Sequence, residues 1–348
     1  MTSPATGPIL GLESSCDETA AAVLDADGAI LAETVLSQSE HARFGGVVPE
    51  LAARAHLAHF PVLIADVMAR AGVAYNELGA VAATAGPGLI GGLVVGTSLA
   101  KGLALAAGKP YLAINHLEAH ALTARLPGLA PDGAPFPYLL LLMSGGHCQC
   151  VAVEGVGRYR RLGTTFDDAI GEAFDKTAKM LGLGWPGGAA VERLAASGDA
   201  RAYPLPRPLL GRPGCDFSFS GLKTAVAQAV ARQPPGALAR QVGADIAASF
   251  QASVTAVLAD RARHALAMRP GTTLLVAAGG VAANGAIRAA LAAAAQDAGA
   301  ILLAPPPRLC TDNAVMVAWA GIERRRLGMS SALDAEPRPR WPLDDLAA

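Results

Sequence analysis

Short apolar runs and longer amphipathic stretches alternate along this chain in an order that occurs twice. Ile9–Leu12, Ala20–Asp25 and Ala29–Leu36 are separated by turn residues and predict three strands joined by tight turns. A helix is expected from about Pro49 to Ala71, then a strand at Ala80–Ala85, a helix from about Ile90 to Ala107, a strand at Tyr111–Asn115 and a helix from His116. The second half restarts with three strands, Tyr138–Met143, His147–Val153 and Arg158–Gly163. Helices at about Asp168–Leu181 and Val242–Met268 lead to a strand at Leu274–Ala278. A helix from Asn284, a strand at Ile301–Ala304 and a helix from Asp312 complete the order.

Both halves therefore read β-β-β-α-β-α-β-α. Three hairpin-linked strands followed by crossover helices imply an α/β fold of mixed sheets with helices on both faces. The expected domains are an N-terminal lobe over residues 1–126, a linker over 127–137 and a C-terminal lobe over 138–328. The linker holds four prolines and two glycines. An insertion at about 183–235 interrupts the second lobe and reads as loop-rich from Arg201 to Phe219. The tail over 329–348, with Pro337, Pro339 and Pro342, is expected to be extended or disordered. Duplication would place a ligand cleft between the lobes; one continuous α/β sheet is the plainer alternative.

Composition narrows the picture. The chain has 348 residues, enough to bury a full core, and is 52% hydrophobic but only 5% aromatic, so Ala, Val and Leu must do most of the packing. No uninterrupted apolar run reaches about 18 residues. Ala85–Ala100 comes nearest, but it carries five glycines and a proline and ends at Lys101, so no membrane span is expected. Met-Thr-Ser-Pro-Ala-Thr-Gly at the start has neither a positive region nor an apolar one, which predicts a cytoplasmic protein. Five cysteines without a C-x-x-C fit reduced thiols. A net charge of −1 means that any RNA must be met by a local patch or with a partner's help. Arg158-Tyr159-Arg160-Arg161 and Arg324-Arg325-Arg326 are candidate patches, and both also read as solvated faces.

Candidate chemistry starts at Asn115-His116-Leu117-Glu118-Ala119-His120. Asn115 is a good N-cap and Glu118 is placed to close a capping box, so both imidazoles would share one helical face in chelating geometry. Two histidines at this spacing also occur in ordinary cores. Here they follow the end of a strand, where open α/β sheets bind ligands, and Asp312 takes the matching place in the second half. Under duplication the two helix starts would face one another and supply His, His and Asp. A zinc-protease reading fails, because Glu118 lies roughly 200° around the helix from His116. His56 and His59 form a second pair with no acidic partner in view.

Glycine turns add possible anion sites. Gly11-Leu12-Glu13-Ser14-Ser15 and Ser144-Gly145-Gly146-His147 hold equivalent places in the repeat and could close on phosphates from either side. Gly279-Gly280-Val281-Ala282-Ala283-Asn284 suits a base or ribose. Gly86-Pro87-Gly88-Leu89-Ile90-Gly91 matches a dinucleotide fingerprint only weakly, since no acid ends the next strand. Asp168, Glu172 and Asp175 share a helical face, and Asp175 is a candidate for a substrate hydroxyl or amine.

Nine blocks, among them L-E-S-S-C-D-E-T-A, G-G-V-V-P-E-L-A-A-R-A-H, N-H-L-E-A-H, S-G-G-H, D-F-S-F-S-G-L-K-T and C-T-D-N-A, occur in order between about Ile9 and Leu327. Together they resemble the bacterial tRNA N6-adenosine threonylcarbamoyltransferase family, TsaD, once called O-sialoglycoprotein endopeptidase. Departures are small: Cys148-Gln149-Cys150 stands where Thr-Gln-Leu is usual, Met143 where Val is common, and H-L-E-A-H replaces H-M-E-G-H. The resemblance implies duplicated lobes of the actin/Hsp70/sugar-kinase (ribonuclease H-like) fold. It implies transfer of threonylcarbamoyl from threonylcarbamoyl-AMP to the N6 amine of adenosine 37, in tRNAs reading codons that start with A, with release of AMP. His116, His120 and Asp312 would hold one divalent metal, iron(II) first and zinc second. Leu142, Met143, Ser144, Gly145, Gly146, Asp175, Gly188 and Asn284 would contact the nucleotide-bearing donor. A TsaB-like paralogue as dimer partner and a TsaE-like P-loop ATPase are implied as well. No residue stands out as general base, Glu13 and Asp17 being the nearest acids to the first turn. An ATP-dependent kinase or ATPase of the same fold, and a non-catalytic assembly scaffold, are the competing readings.

Overall fold

The structure, a computed structural model, describes residues 7–347 except 45, 131, 132, 185, 235 and 237. It divides into two compact units. The first comprises residues 1–135, 155–159 and 311–348, the second 136–154 and 160–310.

In the first unit, β1 (Ile9–Glu13) pairs antiparallel with β2 (Glu18–Leu24) and parallel with β4 (Ala80–Gly86). β3 (Ile30–Ser37) and β5 (Tyr111–Asn115) are the edges of a five-stranded sheet ordered β3-β2-β1-β4-β5. Every residue of β1 and β4 is buried, as expected of strands covered on both faces, and this explains their unbroken apolar sequences. Helices α1 (Pro49–Ala71) and α2 (Ile90–Ala107) cross between strands, and α3 (His116–Thr123) comes directly after β5.

The second unit repeats that plan. β6 (Tyr138–Met143) lies between β7 (Cys148–Gly155) and β9 (Leu274–Ala278), antiparallel to one and parallel to the other. With β8 (Arg158–Thr164) and β10 (Ile301–Leu303) the order is β10-β9-β6-β7-β8. In each sheet the first strand of the repeat is central, its hairpin partners lie on one side and the two crossover strands on the other. The helices are α4 (Ile170–Met180), α5 (Gly187–Ala195), α6 (Ser220–Ala231), α7 (Arg240–Met268), α8 (Gly285–Asp297) and the short α9 (Pro307–Cys310).

Several expectations need correction. The expected insertion holds two helices, α5 and α6, that the pattern does not reveal, while residues 201–219 carry only an isolated bridge between Phe217 and Thr165. The last helix, α10, spans Ala314–Arg326 and starts two residues beyond Asp312. Residues 311–348 also belong with the first unit, not with a C-terminal lobe running to 328. The reason is packing: α10 lies on β1, β2 and β4, with Ala314 through Arg325 buried. Of the expected linker, residues 131 and 132 lie outside the described residues, and the units divide after Pro135. The tail is extended but pinned: Ser331 bridges Tyr111, and Leu343 is buried. The Arg324–Arg326 triplet is no basic patch, since Arg324 and Arg325 are buried and Arg326 sits over the Trp319 ring.

Three helices, α1, α2 and α7, are long and apolar enough to cross a membrane by length and composition, although no uninterrupted apolar run marks them. Alanine raises their average hydropathy, and α1 carries Glu50, Arg54, Asp66 and Arg70 on exposed positions. Each packs in the α/β layers: α1 on β2, α2 on β4, α7 against α8 and β6.

The approach of α10 to β1 depends on Gly11. A methyl group at that position would stand 2.5 Å from the Ala314 carbonyl oxygen and 2.8 Å from Ala318 Cβ, inside contact distance. Overfilling a well-packed interface costs about 1–3 kcal/mol. Gly11→Ala should therefore lower unfolding stability by that amount, read as a lower urea midpoint at unchanged m-value; an unaltered midpoint would show slack between helix and sheet.

Candidate metal centre

β5 ends at Asn115, and this residue starts the next helix. Its Oδ1 accepts from the backbone N–H groups of Leu117 (2.9 Å) and Glu118 (3.2 Å), capping α3. The helix therefore begins at once, with His116 as its first residue at the carboxyl end of a parallel strand. His120 lies one turn later on the same face. Asn313 caps α10 in the same way, accepting from Met316 N–H at 2.9 Å, so Asp312 is held in the turn just before that helix. α3 and α10 pack against one another. One Asp312 oxygen then lies 3.1 Å from His120 Nε2 and 3.4 Å from His116 Nε2. The ligand atoms of the three residues all fall within 4.8 Å of one another. All three belong to the first unit, so the trio is not assembled from one helix start per lobe.

A set of acids surrounds the histidines. His116 Nδ1 is 3.1 Å from Glu13 Oε2 and 3.3 Å from Ser15 Oγ. Glu13 is fully buried; its other oxygen accepts from Ser15 N–H at 2.6 Å, and Thr84 donates its hydroxyl at 2.5 Å. Burial alone would push the His116 imidazole down, but the Asp312 and Glu13 carboxylates hold it well above the usual histidine range. Burial would raise Asp312, and the two imidazoles hold it well below the usual carboxylate range. Glu18 is pushed up to about 9 by burial first, then by Asp312 and Asp17. The cluster thus favours a positive charge at its centre: a proton when nothing else is bound, a cation when one is available.

The donor set fits a divalent transition metal. Two imidazole nitrogens and one carboxylate oxygen suit iron(II) or zinc and leave positions for other ligands. Glu13 on the far nitrogen of His116 is placed as an outer partner that would align a ligating imidazole. His120 Nδ1, buried, has no such partner among the described residues. Sequence reasoning names Glu13 as a candidate base and Ser15 as part of an anion turn, gives neither its place beside His116, and misses Thr84. The available signal is a charged residue inside an otherwise apolar strand.

Glu118 does not close a capping box. It is buried and accepts from Arg324 Nε at 2.6 Å, from Tyr159 OH at 2.9 Å and from Gly157 N–H at 3.0 Å. The His56–His59 pair is no ligand set either: His56 Nε2 meets the Cys16 carbonyl at 3.1 Å and its Nδ1 meets Thr19 Oγ1 at 2.8 Å. The first glycine turn is likewise committed. Ser14 Oγ donates to Gly92 O at 3.0 Å, and the Ser15 carbonyl accepts from Leu89 N–H at 2.7 Å. Asp17, the other acid named, keeps one buried carboxylate oxygen without a partner among the described residues.

The residues expected at the nucleotide all lie in the second unit. Leu142 and Met143 end β6 and are buried. Ser144 closes a tight turn with His147, at 2.8 Å between Ser144 N and His147 O, and Gly145 and Gly146 stand exposed with open space beside them. Asp175 accepts from Gly187 N–H at 2.8 Å, which brings Gly188 to its side. Asn284 caps α8 through Ile287 N–H (3.0 Å), while its amide N–H donates to Gln251 at 2.9 Å. Both ends of that amide are therefore occupied within the fold.

Breaking a buried ion pair by removing one charge costs about 3–5 kcal/mol. Glu118→Gln should lower stability to that extent in denaturant unfolding, while metal affinity in an equilibrium titration stays at the wild-type value. A selective loss of metal affinity would make Glu118 part of the centre.

Comparison with known proteins is consistent throughout. The chain is 66% identical over 347 residues to a tRNA N6-adenosine threonylcarbamoyltransferase of Granulibacter bethesdensis, covering 97% of this chain and 94% of that protein. It is 60% identical to the protein of that name from Gluconobacter oxydans, covering 99% and 96%. Among solved structures, HypF of T. kodakarensis superposes with a TM-score of 0.61 at 14% identity, over 93% of this chain and 49% of that one. Component A of the Acidaminococcus fermentans (R)-2-hydroxyglutaryl-CoA dehydratase gives 0.53 at 16%, over 91% and 98%. These two likenesses bear on the fold alone, which is the duplicated actin/Hsp70/sugar-kinase arrangement. A family model described as tRNA N6-adenosine threonylcarbamoyltransferase matches residues 29–319, and the chain belongs to that family, TsaD.

Proposed function

We propose that this protein transfers a threonylcarbamoyl group to the N6 amine of an adenosine in tRNA, using a metal held by His116, His120 and Asp312. The activity follows from family membership. The observation that supports the metal is the convergence of two imidazole nitrogens on one carboxylate oxygen, at 3.1 and 3.4 Å, inside an acid-rich pocket. The donor in this reading is threonylcarbamoyl-AMP and the acceptor is adenosine 37 of tRNAs reading codons that start with A. The N6 lone pair forms a bond to the carbamoyl carbonyl carbon, the carbon–oxygen bond to phosphate breaks, AMP leaves, and the N6 proton passes to a base.

An adenine amine is a weak nucleophile, but an acyl phosphate is an activated donor, so positioning and charge stabilisation can carry much of the rate. The bound metal would supply positive charge to oxygens of the donor. Glu13 and Ser15 hold the His116 ring in place, and Asn115 and Asn313 fix the turns that present the ligands. Ser144, Gly145, Gly146, Asp175 and Gly188 are the residues proposed to contact the nucleotide end. Met143 and Leu142 shape that turn from within the sheet. Asn284 acts there by capping α8, its amide being already committed. Iron(II) is the first choice of metal and zinc the second. A net charge of −1 fits weak tRNA binding by the chain alone, and hence help from a TsaB-like paralogue and a TsaE-like ATPase in the cytoplasm.

His120→Ala and Asp312→Asn, purified anaerobically, should lose bound metal together with transfer, the latter by at least about 100-fold. Metal analysis and mass measurement of modified nucleosides from digested tRNA read the two effects separately. Full transfer by a metal-free variant would overturn the metal reading. Absence of transfer by the metal-loaded wild type, given purified donor, tRNA and partners, would overturn the activity.

A further inference from the structure

The tail from Met329 reads from sequence as loose, yet its described residues, 329–347, form a strap laid along the first unit. Ser331 N–H donates to Tyr111 O at 2.9 Å, and Ser331 Oγ accepts from Ala113 N–H at 2.9 Å, which covers the open edge of β5. Lys101 Nζ reaches the Ala335 carbonyl at 2.6 Å. Arg338 N–H donates to Ala85 O at 2.7 Å, and the Pro339 carbonyl accepts from Gly88 N–H at 3.2 Å. Gly86, with φ of +146°, admits this crossing: a Cβ there would collide with the Arg338 carbonyl. Pro337, Pro339 and Pro342 restrict the strap before it docks, which lowers the entropy lost on ordering.

The strap ends on the residue that starts the metal helix. Asn115 Nδ2 donates to the Trp341 carbonyl at 2.8 Å. Because Oδ1 must face the two N–H groups of α3, the amide can turn only one way, and Nδ2 is left toward the strap. Trp341 is itself fixed: the Arg338 guanidinium lies 5.1 Å from its ring centre, Arg338 pairs with Asp345 at 3.2 Å, and Leu343 is buried. With the strap docked Asn115 has no exposure to solvent, so the Trp341 carbonyl is what satisfies that donor.

We infer that the strap from Arg338 to Asp345 is a positioning element for the metal centre, acting through Asn115 to set the orientation of His116. The inference rests on the metal reading of the His116, His120 and Asp312 site. With the strap in place the Asn115 amide has a single low-energy orientation, and the first residue of α3 is presented at one angle. Without it the Nδ2 donor loses its fixed partner and meets mobile water instead, so the first turn of α3, where His116 sits, is no longer held at that one angle.

Cobalt(II) titration followed by its visible ligand-field bands, with a competing chelator, tests this in three variants: Asn115→Ser, Trp341→Ala and a chain ending after Pro337. Serine still caps α3 but cannot reach the strap, so Asn115→Ser should keep its thermal midpoint within about 4 °C of wild type. All three should bind cobalt about 10–100-fold more weakly, with altered band positions, as for loss of an outer partner of a ligand. Wild-type affinity and bands in Asn115→Ser and Trp341→Ala would overturn the strap's role while leaving the metal reading intact. Failure of the intact protein itself to bind cobalt would overturn the metal reading and this inference with it.

Discussion

Placement of α10 on the central strand of the first sheet is the contact on which the site depends. The helix buries nearly its whole length there, and Gly11 lets the two backbones approach. That placement carries Asp312 to the start of α3, and nothing local in the sequence of either helix would do so. It also sets Arg324 against the fully buried Glu118, so the same packing that forms the metal trio supplies the counter-charge beneath it. Because the chain leaves α10 on the first unit, the segment after it can only run along that unit, which is how the strap arises.

The acids of the centre stay ionised because a positive charge lies among them. Glu13 and Asp312 are held ionised close to His116, and Glu18 is pushed up by burial and by its acidic neighbours. A fold selected for stability alone could replace the whole buried cluster with apolar residues at little cost. Their retention is intelligible if the acids that hold a proton on His116 serve a bound cation in its place.

Much of the fold is legible in the sequence, because buried strands and crossover helices have distinct apolar patterns. The expected bounds of Tyr111–Asn115, Tyr138–Met143, Leu274–Ala278, Pro49–Ala71 and Ile90–Ala107 agree with the structure to the residue. Two helices are not legible: α5 opens on two glycines, and α6 comes after a long irregular segment with an alanine-rich sequence of weak polarity contrast. The histidine pair is visible through its cap and spacing, but the route of Asp312 to it is not. Capping is local, whereas the choice of sheet on which α10 lies is tertiary. Three arginines in a row resemble a surface patch because sequence cannot show that Glu118 waits for one of them. Prolines in the tail suggest disorder, yet the same restriction of φ that prevents a helix also suits an extended segment to docking.

Duplication left two equivalent turns that have since taken different work. In the first unit the Gly11–Ser15 turn is filled: Gly11 receives α10, Ser14 and Ser15 bond to the start of α2, and Glu13 and Ser15 face His116. The serine groups named here are thus bonded within the unit. The Ser144–Gly146 turn of the second unit closes on itself through His147 and leaves two glycines exposed, with nothing near the positions their side chains would occupy. The two turns therefore differ in their surroundings, where the repeat alone would make them alike. One copy supports His116, a proposed metal ligand, and the other keeps the open backbone that an anion requires. A kinase-like reading needs both turns free for a triphosphate. A transferase that binds a single activated phosphate ester needs only one, together with a separate source of positive charge.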